Sequence, residues 1–484
     1  MREVIQATPL IIECLAPVHI GSGDRLGPLD FVREGGRVLV VDQEKFVDHL
    51  GNAPALSEAF VRFCESDRPS LGDFLRTAHI AASDFAAYPL SVVGSVGRDI
   101  LTFIKVPNRG VFIPGSSVKG AIRSALLHKV LSEQEKVREA VIREAVREVG
   151  SFRRPVTGRR SAKLWSTSGI ADRSAFGKDH NRDVMRIFQL ADSQPVPPSS
   201  LVLAEVRVLS VRSNALAFKE GRAGQPMRLT VEALPAGTRL ESRLTRNDYL
   251  GEAQGPAATL GFGERVSFVS TWLAHCNVVA RDALGREVAF YRQFGETALV
   301  RWHEGLLNRL NSVGANQCFL HLGWGAGFDA MAVTNLFSPE AARRIRQGAN
   351  LGKIGPDGPI EPFPKSRKVV WREEKSSEPL GWILLTLGEK LAETARQTIA
   401  VPPSERTREA EPRPQSQPRP KPRQFPEPPT RPRASTEAEL KALRRSLEQS
   451  KSGGRGSGHT TKASEKAKRE QEKIWRRYRG ESEK

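Results

Sequence analysis

The stretch Phe112-Ile-Pro-Gly-Ser-Ser-Val-Lys-Gly-Ala-Ile-Arg123 predicts a strand that gives way to a helix, and it decides the fold class. The Pro-Gly pair allows a turn, and Ser116 or Ser117 can cap the new helix. The free N–H groups and positive end of such a helix form a general phosphate cradle. Lys119 and Arg123 are four residues apart, so they share a helical face and can reach neighbouring phosphates. The spacing also fits a plain capped helix with a solvated basic face, and the GxxxxGK[ST] pattern of a P-loop is absent.

Upstream of this helix, Leu10–Ile20 is typical of a strand, and Gly21-Ser-Gly23 predicts a tight turn after it. His19 lies at the end of the predicted strand. A histidine in this position can act as a general base in RNA cleavage, pack in the core or contact a phosphate. No second His or Lys lies nearby in the sequence to complete an acid–base pair.

Downstream, Leu320-His-Leu-Gly-Trp-Gly-Ala-Gly-Phe-Asp-Ala330 is a glycine-rich loop that follows a predicted strand. Gly325-x-Gly327-x-x-Ala330 matches the relaxed dinucleotide-binding fingerprint, but the acidic residue expected about 20 residues further on is missing. Glycines also let the backbone of any ligand approach closely. Trp324 can stack on a base or anchor the loop in the core.

A fourth segment, Phe363-Pro-Lys-Ser-Arg-Lys368, carries a cluster of basic side chains that includes Lys365 and Arg367. This cluster can contact phosphate or form an exposed basic turn. The chain contains no HExxH, GxSxG, GGDD or His-Asp motif. Asp183 and Asp192 flank a predicted strand, but the spacing alone does not place them together. No constellation in the sequence therefore demands catalysis.

The strongest predicted elements follow one another in the order βαββαβ. They are a strand at 10–20, a helix at 117–131, strands at 185–191 and 238–244, a helix at 297–310 and a strand at 317–322. This order predicts an α+β fold with a ferredoxin-like or RRM-type core. The core would carry long insertions at about 24–100 and 132–182.

The composition narrows the classes of protein to consider. The 484 residues carry 74 Lys+Arg against 55 Asp+Glu, a net charge of +19 that favours RNA or DNA as a partner. No apolar run approaches the roughly 18 residues of a membrane-spanning helix. The start, Met1-Arg-Glu-Val-Ile, lacks the apolar core of a signal peptide. The 4 cysteines are scattered without a CxxC pair, so we expect a cytoplasmic protein without a disulfide scaffold or structural zinc.

The last part of the chain has a composition of its own. Residues 401–484 hold 22 Lys+Arg, 12 Asp+Glu and 11 of the 32 prolines. A basic, proline-rich segment with few aromatic residues cannot bury enough surface to offset its chain entropy. We expect an extended linker over 401–432 and then two short helices, which begin near Thr436 and Lys462. Such a tail can attract RNA, recruit a partner or simply improve solubility.

Together, these segments resemble the RAMP superfamily of CRISPR effector proteins, and specifically the fifth subunits of the type III-A Csm complex. The matching motifs are Pro17–Gly23, Ile113–Arg123, Leu190–Ser193, Glu232–Thr238, Leu322–Gly327, Pro364–Arg367 and Leu380–Trp382. They cover about residues 10–385. His321 and Phe328 stand where we expect Arg and Trp in this family.

The resemblance implies a RAMP body over 1–395, with an RRM-like core on the guide RNA backbone, and a largely disordered basic tail over 396–484. It implies a non-catalytic subunit that caps the crRNA 3′ end and supports crRNA maturation in antiviral defence. The expected partners are crRNA, other Csm subunits and host nucleases, without a cofactor, a metal or a membrane. The residues expected to bind RNA are His19, Gly21, Ser22, Gly23, Ser116, Ser117, Lys119, Arg123, Gly323, Trp324, Gly325, Gly327, Lys365 and Arg367.

Two alternatives remain open at this point. The first is a RAMP-type endoribonuclease that processes crRNA or cuts target RNA, using His19 without a metal, or Asp24 or Asp30 with one. The second is a nucleotide-binding enzyme that uses Gly325–Ala330.

Overall fold

The computed structural model describes residues 5–107, 110–150, 168–221, 224–252, 255–352, 354–355, 358–359, 362–372 and 377–391. All of them belong to one unit of the chain, Met1–Pro403. The tail predicted over 396–484, with its linker and short helices, lies outside the described residues.

The described residues form a mixed α+β structure. The strands are β1 Ile5–Cys14, β2 Gly21–Leu26, β3 Phe31–Glu34, β4 Arg37–Val41, β5 Ala86–Val93, β6 Ile100–Phe103, β7 Phe188–Leu190, β8 Val202–Arg212, β9 Ala215–Phe218, β10 Arg228–Ala233, β11 Arg239–Asn247, β12 Gln317–His321, β13 Ile354–Gly355, β14 Gly358–Pro359, β15 Ser366–Val370, β16 Glu378–Pro379 and β17 Trp382–Leu387. The helices are α1 Gln43–Gly51, α2 Pro54–Cys64, α3 Leu71–Thr77, α4 Gly115–Glu133, α5 Glu135–Gly150, α6 Ser168–Phe176, α7 Pro256–Thr259, α8 Arg265–Ser270, α9 Trp272–Gln293, α10 Thr297–Asn311 and α11 Pro339–Gly348.

The first sheet has five antiparallel strands in the order β12-β17-β1-β11-β7. Leu10 and Ile12 on β1 point into the main core, together with Val118 and Ile122 on α4. Alternate residues of a strand face the same side, and residues four apart share a helical face, so both patterns bury one side of their element. The four strands of the predicted βαββαβ core correspond to β1, β7, β11 and β12, and all four lie in this sheet. Strand β17, which is not part of the predicted core, lies between β1 and β12. The ferredoxin-like assignment itself stays a prediction.

The longest described helix is α9, which is not among the elements predicted from the sequence. Its buried residues are Trp272, Cys276, Ala280, Leu284, Val288 and Tyr291. They recur at helical spacing, but small residues such as Cys and Ala weaken the contrast between the two faces. The periodicity signal on which helix prediction depends is therefore faint.

A second, ten-stranded sheet contains β2-β6-β10-β8-β5-β4-β3, and β15 also pairs with β8. The region predicted as an insertion at 24–100 supplies several of its strands and the helices α1 to α3. These helices pack around a cluster of phenylalanines, of which Phe46, Phe74 and Phe85 are fully buried. That region is thus an integral layer with a core of its own.

Three local predictions are corrected by the structure. The strand predicted over 10–20 ends at Cys14, because the N–H groups of Leu15 and Ala16 turn to the Trp382 carbonyl. The tight turn predicted at Gly21-Ser-Gly23 is part of β2, with a shift of register before Arg25. The strand predicted over 185–191 is a 3₁₀ turn at Val184–Ile187 followed by the short β7.

Two classes of feature are absent from the described residues. No helix in this part of the chain is long and apolar enough to cross a membrane. No group of three or more His, Cys, Asp or Glu side chains is arranged there to hold a metal ion.

Candidate nucleic-acid interface

Two of the glycine segments singled out in the sequence lie against each other. The Trp324 N–H donates to the carbonyl of His19 at 3.0 Å, which joins the loop after β12 to the segment before β2. Gly323 adopts a φ of +78°, and a Cβ at this position would lie 2.5 Å from the His19 oxygen. A left-handed conformation and this close approach both require glycine. The two glycine segments therefore meet in the folded chain at His19.

The His19 ring is held inside the protein. It is 2% exposed, and its Nδ1–H donates to the Glu232 carbonyl at 2.6 Å. The ring meets those of Trp324 and Phe103 edge to face. Burial lowers the pKa of His19, so the ring is neutral at pH 7. A buried ring has no access to an RNA 2′-hydroxyl, and this geometry gives the general-base hypothesis no support.

Glu232 connects the second sheet to the glycine segments. Its carboxylate is fully buried and accepts hydrogen bonds from the Tyr88 hydroxyl at 3.0 Å and the Phe103 N–H at 2.7 Å. It also forms an ion pair with Lys105. A buried carboxylate needs such compensation, because it has lost its hydration. The sequence identified Glu232 only as part of a motif and gave no signal for Lys105.

The exposed part of this region is the backbone around Gly21, Ser22 and Gly23. The Ser22 hydroxyl contacts the Thr102 hydroxyl at 2.6 Å and accepts from the Asp24 N–H at 3.0 Å, so the segment is held in place. Gly23 has a φ of +96°, and a Cβ there would meet nothing within 4 Å. The segment presents ordered backbone that a polyanion can approach closely.

Trp324 and Lys368 form the neighbouring part of the surface. The Lys368 ammonium lies 4.2 Å from the centroid of the Trp324 ring and donates to the Trp324 carbonyl at 3.2 Å. Trp324 is half-buried, so it both anchors the loop and keeps part of its ring at the surface. Burial lowers the pKa of Lys368. Lys368 was in the quoted basic segment, but it was not among the residues predicted to bind RNA.

Arg367, which the sequence predicts to contact RNA, also forms an internal ion pair, and its contact with RNA stays a prediction. Its Nε donates to both carboxylate oxygens of Glu287 on α9, at 2.9 and 2.8 Å, and the guanidinium lies 4.2 Å from the Phe290 ring. Successive residues of β15 face opposite sides, so Arg367 points to α9 whereas Lys368 points to Trp324. Lys365, the other predicted residue in this segment, is half-buried.

The start of α4 also differs from the prediction. The residue before the first turn is Pro114, whose side chain has no acceptor to cap the helix, and neither Ser116 nor Ser117 has the predicted capping role. The Gly115 N–H donates to the Asp192 carboxylate at 2.8 Å. Two hydrogen bonds between Ile113 and Ser193 bring Asp192 to this position. The predicted phosphate cradle is thus partly filled by an internal carboxylate, although Ser116 remains exposed.

Lys119 and Arg123 share a face of α4 as predicted, but this face contacts protein. The Lys119 ammonium donates to the Phe188 carbonyl at 2.8 Å, and burial lowers the pKa of Lys119. Arg123 pairs with Asp183 at 2.7 Å and with Asp172 at 3.0 Å. The two cations hold α4 against β7 and α6, and contact of either with RNA stays a prediction.

The glycines of the loop after β12 face different surroundings. A Cβ on Gly325 would lie 2.3 Å from the Leu380 Cβ, so this glycine packs against protein. A Cβ on Gly327, with a φ of +75°, would meet its nearest atom at 3.9 Å. In a dinucleotide site the glycine backbone must face the pyrophosphate, so the packing of Gly325 argues against that hypothesis.

Asp24 and Asp30, the two aspartates named for a metal-dependent nuclease, have different surroundings. Asp30 accepts hydrogen bonds from the Gly27 N–H at 2.6 Å and the Gln43 amide at 3.1 Å, and so has a structural role. Asp24 is exposed on β2. Among the described residues, neither belongs to a group of side chains that could hold a metal ion.

Comparison with known proteins gives two similar curated proteins. Both are named CRISPR system Cms protein Csm5. The one from Streptococcus thermophilus is 25% identical over 260 residues, which are 51% of this chain and 65% of that protein. The one from Methanocaldococcus jannaschii is 24% identical over 188 residues, which are 37% of this chain and 41% of that protein. The chain thus spans less than two thirds of the length of these relatives.

Two solved structures share the fold. The crystal structure of T. onnurineus Csm5 has a TM-score of 0.52 at 22% identity, covering 77% of this chain and 99% of that one. A chain of the cryo-EM structure of a type III-A Csm–crRNA–target RNA ternary complex has a TM-score of 0.55 at 22% identity, covering 78% of this chain and 100% of that one.

The family is shown by a match over most of the described body. The model of the RAMP superfamily matches residues 11–328, a range that contains the end of β1, all of α4 and both glycine segments that meet at His19. The motif-based resemblance is confirmed, and the chain belongs to the RAMP superfamily.

Proposed function

We propose that the chain is a non-catalytic RNA-binding subunit of a type III-A Csm ribonucleoprotein, which caps the crRNA 3′ end and supports crRNA maturation. Its partners are crRNA, the other Csm subunits and the nucleases that trim the guide. The similarity to two proteins named Csm5 supports this role. The shared fold with a chain of a Csm–crRNA–target RNA complex also supports it.

One observation in the structure carries the RNA-binding part of the proposal. The exposed backbone at Gly21–Gly23 and the loop of Trp324 are joined at His19, and Lys368 on β15 lies over the Trp324 ring. This surface offers backbone groups, a cation and an aromatic ring. Contacts of this kind bind the phosphates and stack on bases without reading sequence. A subunit that must accept any spacer sequence needs that property.

The role in the complex is tested by expressing the full chain with the other subunits of its own type III-A system and a CRISPR array. We expect the tagged chain to purify with those subunits and with CRISPR-derived RNA. Omission of the chain should change the distribution of crRNA 3′ ends, read by RNA sequencing. Purification without the subunits, or unchanged 3′ ends, would refute the cap role.

The RNA-binding surface is tested with Lys368→Ala and Arg25→Ala in the full chain. Arg25 is an exposed cation on β2, next to the glycine segment. Each change should weaken binding to single-stranded RNA severalfold at low salt and reduce the slope of log affinity against log salt, because fewer counterions are released. Arg62→Ala, at an exposed position on α2, is the charge-matched control. An equal effect of all three would indicate a general charge effect only.

The absence of catalysis is tested on a crRNA precursor. We expect no cleavage by the purified chain, with or without divalent metal. Cleavage that disappears with Asp24→Asn would instead favour the metal-dependent endoribonuclease, because Asp24 is the exposed member of the two aspartates. Cleavage that disappears with His19→Gln, in a variant that unfolds at the wild-type temperature, would favour the metal-independent mechanism.

A further inference from the structure

The second sheet carries a basic and aromatic surface that is separate from the candidate RNA surface. Arg207 on β8 lies directly opposite Val369 on β15, so the two side chains share one face of the sheet. Successive residues of a strand point to opposite faces, so Lys368 points to the other face, where it contacts Trp324. The face of Arg207 is therefore turned away from the Trp324–Lys368 pair.

Two arginines meet at one buried carboxylate on this face. Arg207 and Arg228 lie directly opposite each other on β8 and β10. Their Nε atoms lie 2.6 and 3.8 Å from the same oxygen, Oε1 of Glu205. Burial raises the pKa of Glu205, but hydrogen bonds from Ser95 and Arg207 outweigh burial and hold this pKa below its usual value, so the carboxylate is ionised at pH 7. In the described part of the chain these are the ion pairs of the two arginines, and one positive charge is left over.

The excess charge and its exposure favour an anionic ligand. Like charges directly opposite each other on neighbouring strands are destabilising, and Glu205 compensates for only one of the two. The Arg228 side chain is 47% exposed, whereas that of Glu205 is 2% exposed, so an incoming anion meets the guanidinium and not the carboxylate. Guanidinium groups present several N–H donors in a plane, which suits the oxygens of a phosphate.

An aromatic pair adjoins the two arginines. The Arg207 guanidinium lies 3.8 Å from the centroid of the Trp371 ring, and the Phe218 ring meets Trp371 edge to face at 5.2 Å. Trp371 is half-buried, and its backbone N–H donates to the Glu205 carbonyl at 2.8 Å. Proteins hold single-stranded nucleic acid by this combination, in which bases stack on aromatic rings and cations follow the backbone. An acidic peptide has no base to stack, so the surface fits RNA better.

The loop between β5 and β6 borders this surface and is held against it. A Cβ on Gly94 would lie 2.7 Å from the Glu205 Cβ, so the loop crosses the sheet closely. The Gly97 N–H donates to the Thr230 hydroxyl at 2.7 Å. Arg33, which is exposed, donates to the Gly97 carbonyl at 2.7 Å. The loop thus forms an ordered wall and brings a third arginine to the same region.

We propose that this face of the second sheet binds a second stretch of single-stranded RNA, with a phosphate at Arg228 and Arg207 and a base against Trp371. The inference rests on the proposed RNA-binding function and adds a second site to it. Because the two sites lie on opposite faces of β15, the stretch of RNA at Trp371 is a different one from the stretch at Trp324.

The test is photocrosslinking of the full chain to a 12-nucleotide oligouridylate that carries 5-iodouridine at every position. A base stacked on an aromatic ring crosslinks to it under ultraviolet light, and mass spectrometry identifies the peptide. Trypsin cuts after Lys368 and Arg372, so Trp371 is the single aromatic residue of the peptide Val369–Arg372.

Two variants control the crosslink. Arg228→Ala removes the exposed arginine of the pair. Arg212→Ala is the matched control, because Arg212 is on β8 of the same sheet and its side chain is 45% exposed, against 47% for Arg228. Thermal unfolding of both variants checks that they are folded.

We expect the wild-type chain to give crosslinked Val369–Arg372, and Arg228→Ala to lower its yield about threefold at low salt, the scale of one lost phosphate contact. Arg212→Ala should leave this yield unchanged, and Arg228→Ala should leave crosslinks to Trp324 unchanged. RNA binding without a crosslink at Trp371, or an equal loss of yield in both variants, would overturn the second site and leave the RNA-binding function standing.

Two further outcomes would also count against the proposal. Polyglutamate that prevents the Trp371 crosslink as well as unlabelled oligouridylate of equal charge would assign this surface to an acidic protein and overturn the RNA site. A wild-type chain that binds no RNA would overturn both this site and the proposed function.

Discussion

At the scale of the residue, Gly323 and Gly327 have almost the same backbone conformation but different surroundings. Their φ angles are +78° and +75°. Only Gly323 would place a Cβ against backbone, 2.5 Å from the His19 carbonyl, whereas the nearest atom to a Cβ on Gly327 is 3.9 Å away. Substitution of each glycine by alanine therefore separates two energetic costs, that of the left-handed backbone conformation and that of a Cβ placed against neighbouring backbone.

We predict that Gly327→Ala lowers the free energy of unfolding by about 1 kcal/mol, the usual penalty of that conformation for an L-residue. Gly323→Ala should lower it by about 2 kcal/mol more, because the loop must move away from His19. Urea denaturation of the two variants gives the difference. Equal losses would show that the contact between the two segments is loose.

At the scale of the element, β15 explains why the basic segment divides into two roles. Arg367 and Val369 face α9, whereas Lys368 and Val370 face Trp324 and Leu380. Successive side chains of a strand point to opposite faces, so Arg367 and Lys368 contact different parts of the protein. Composition alone cannot show this difference.

We predict that Arg367→Ala lowers the free energy of unfolding by about 3 kcal/mol, since it leaves the Glu287 carboxylate half-buried without its cation. Lys368→Ala should lower it by less than about 1 kcal/mol, because its ammonium is only partly buried. Thermal and urea unfolding measure both. A larger loss for Lys368→Ala would contradict the assignment of Lys368 to the surface.

Helix α4 contains an exposed glycine, Gly120, in its second turn, and a Cβ there would meet nothing within 4 Å. Glycine inside a helix costs about 0.5–1 kcal/mol relative to alanine. We predict that Gly120→Ala stabilises the chain by this amount in urea denaturation. If RNA approaches the start of α4 closely, the same variant should bind RNA more weakly; unchanged affinity would remove Gly120 from the RNA surface.

At the scale of the whole molecule, histidines whose pKa is lowered in the fold make the protein sensitive to acid. The pKa of five of them, His19, His128, His275, His303 and His321, is lowered chiefly by burial. For His321 it falls to about 4. Below the ordinary value of about 6.5 the unfolded chain binds protons that the folded chain does not, so stability falls as the pH falls.

We predict that the free energy of unfolding declines steadily from pH 7 to pH 5, above the range in which carboxylates titrate. His321 alone should contribute about 2 kcal/mol of this loss. His321→Phe, which keeps a ring to stack on Trp382, should flatten the decline, whereas His180→Gln at an exposed position should not. Urea denaturation at a series of pH values measures the slope, and an identical slope for both variants would contradict the prediction.

The sequence by itself determined the local elements with strong signals and the family. The strand-to-helix step before α4, the helix α10 and the strand β12 need only neighbouring residues, so periodicity and turn residues predict them. The glycine segments could also be identified from the sequence, because clusters of glycine indicate turns and loops.

Only the tertiary structure decided which charges are free and which are internal. Arg123 and Arg367 are predicted to contact RNA, and nothing in the sequence indicates their ion pairs, because Asp172, Asp183 and Glu287 are distant in sequence and meet them only in the folded chain. The pairing of Asp192 with Gly115 and the Glu232–Lys105 pair have the same origin. The physical reason is that the energy of a charge depends on its burial and its partner, and folding sets both.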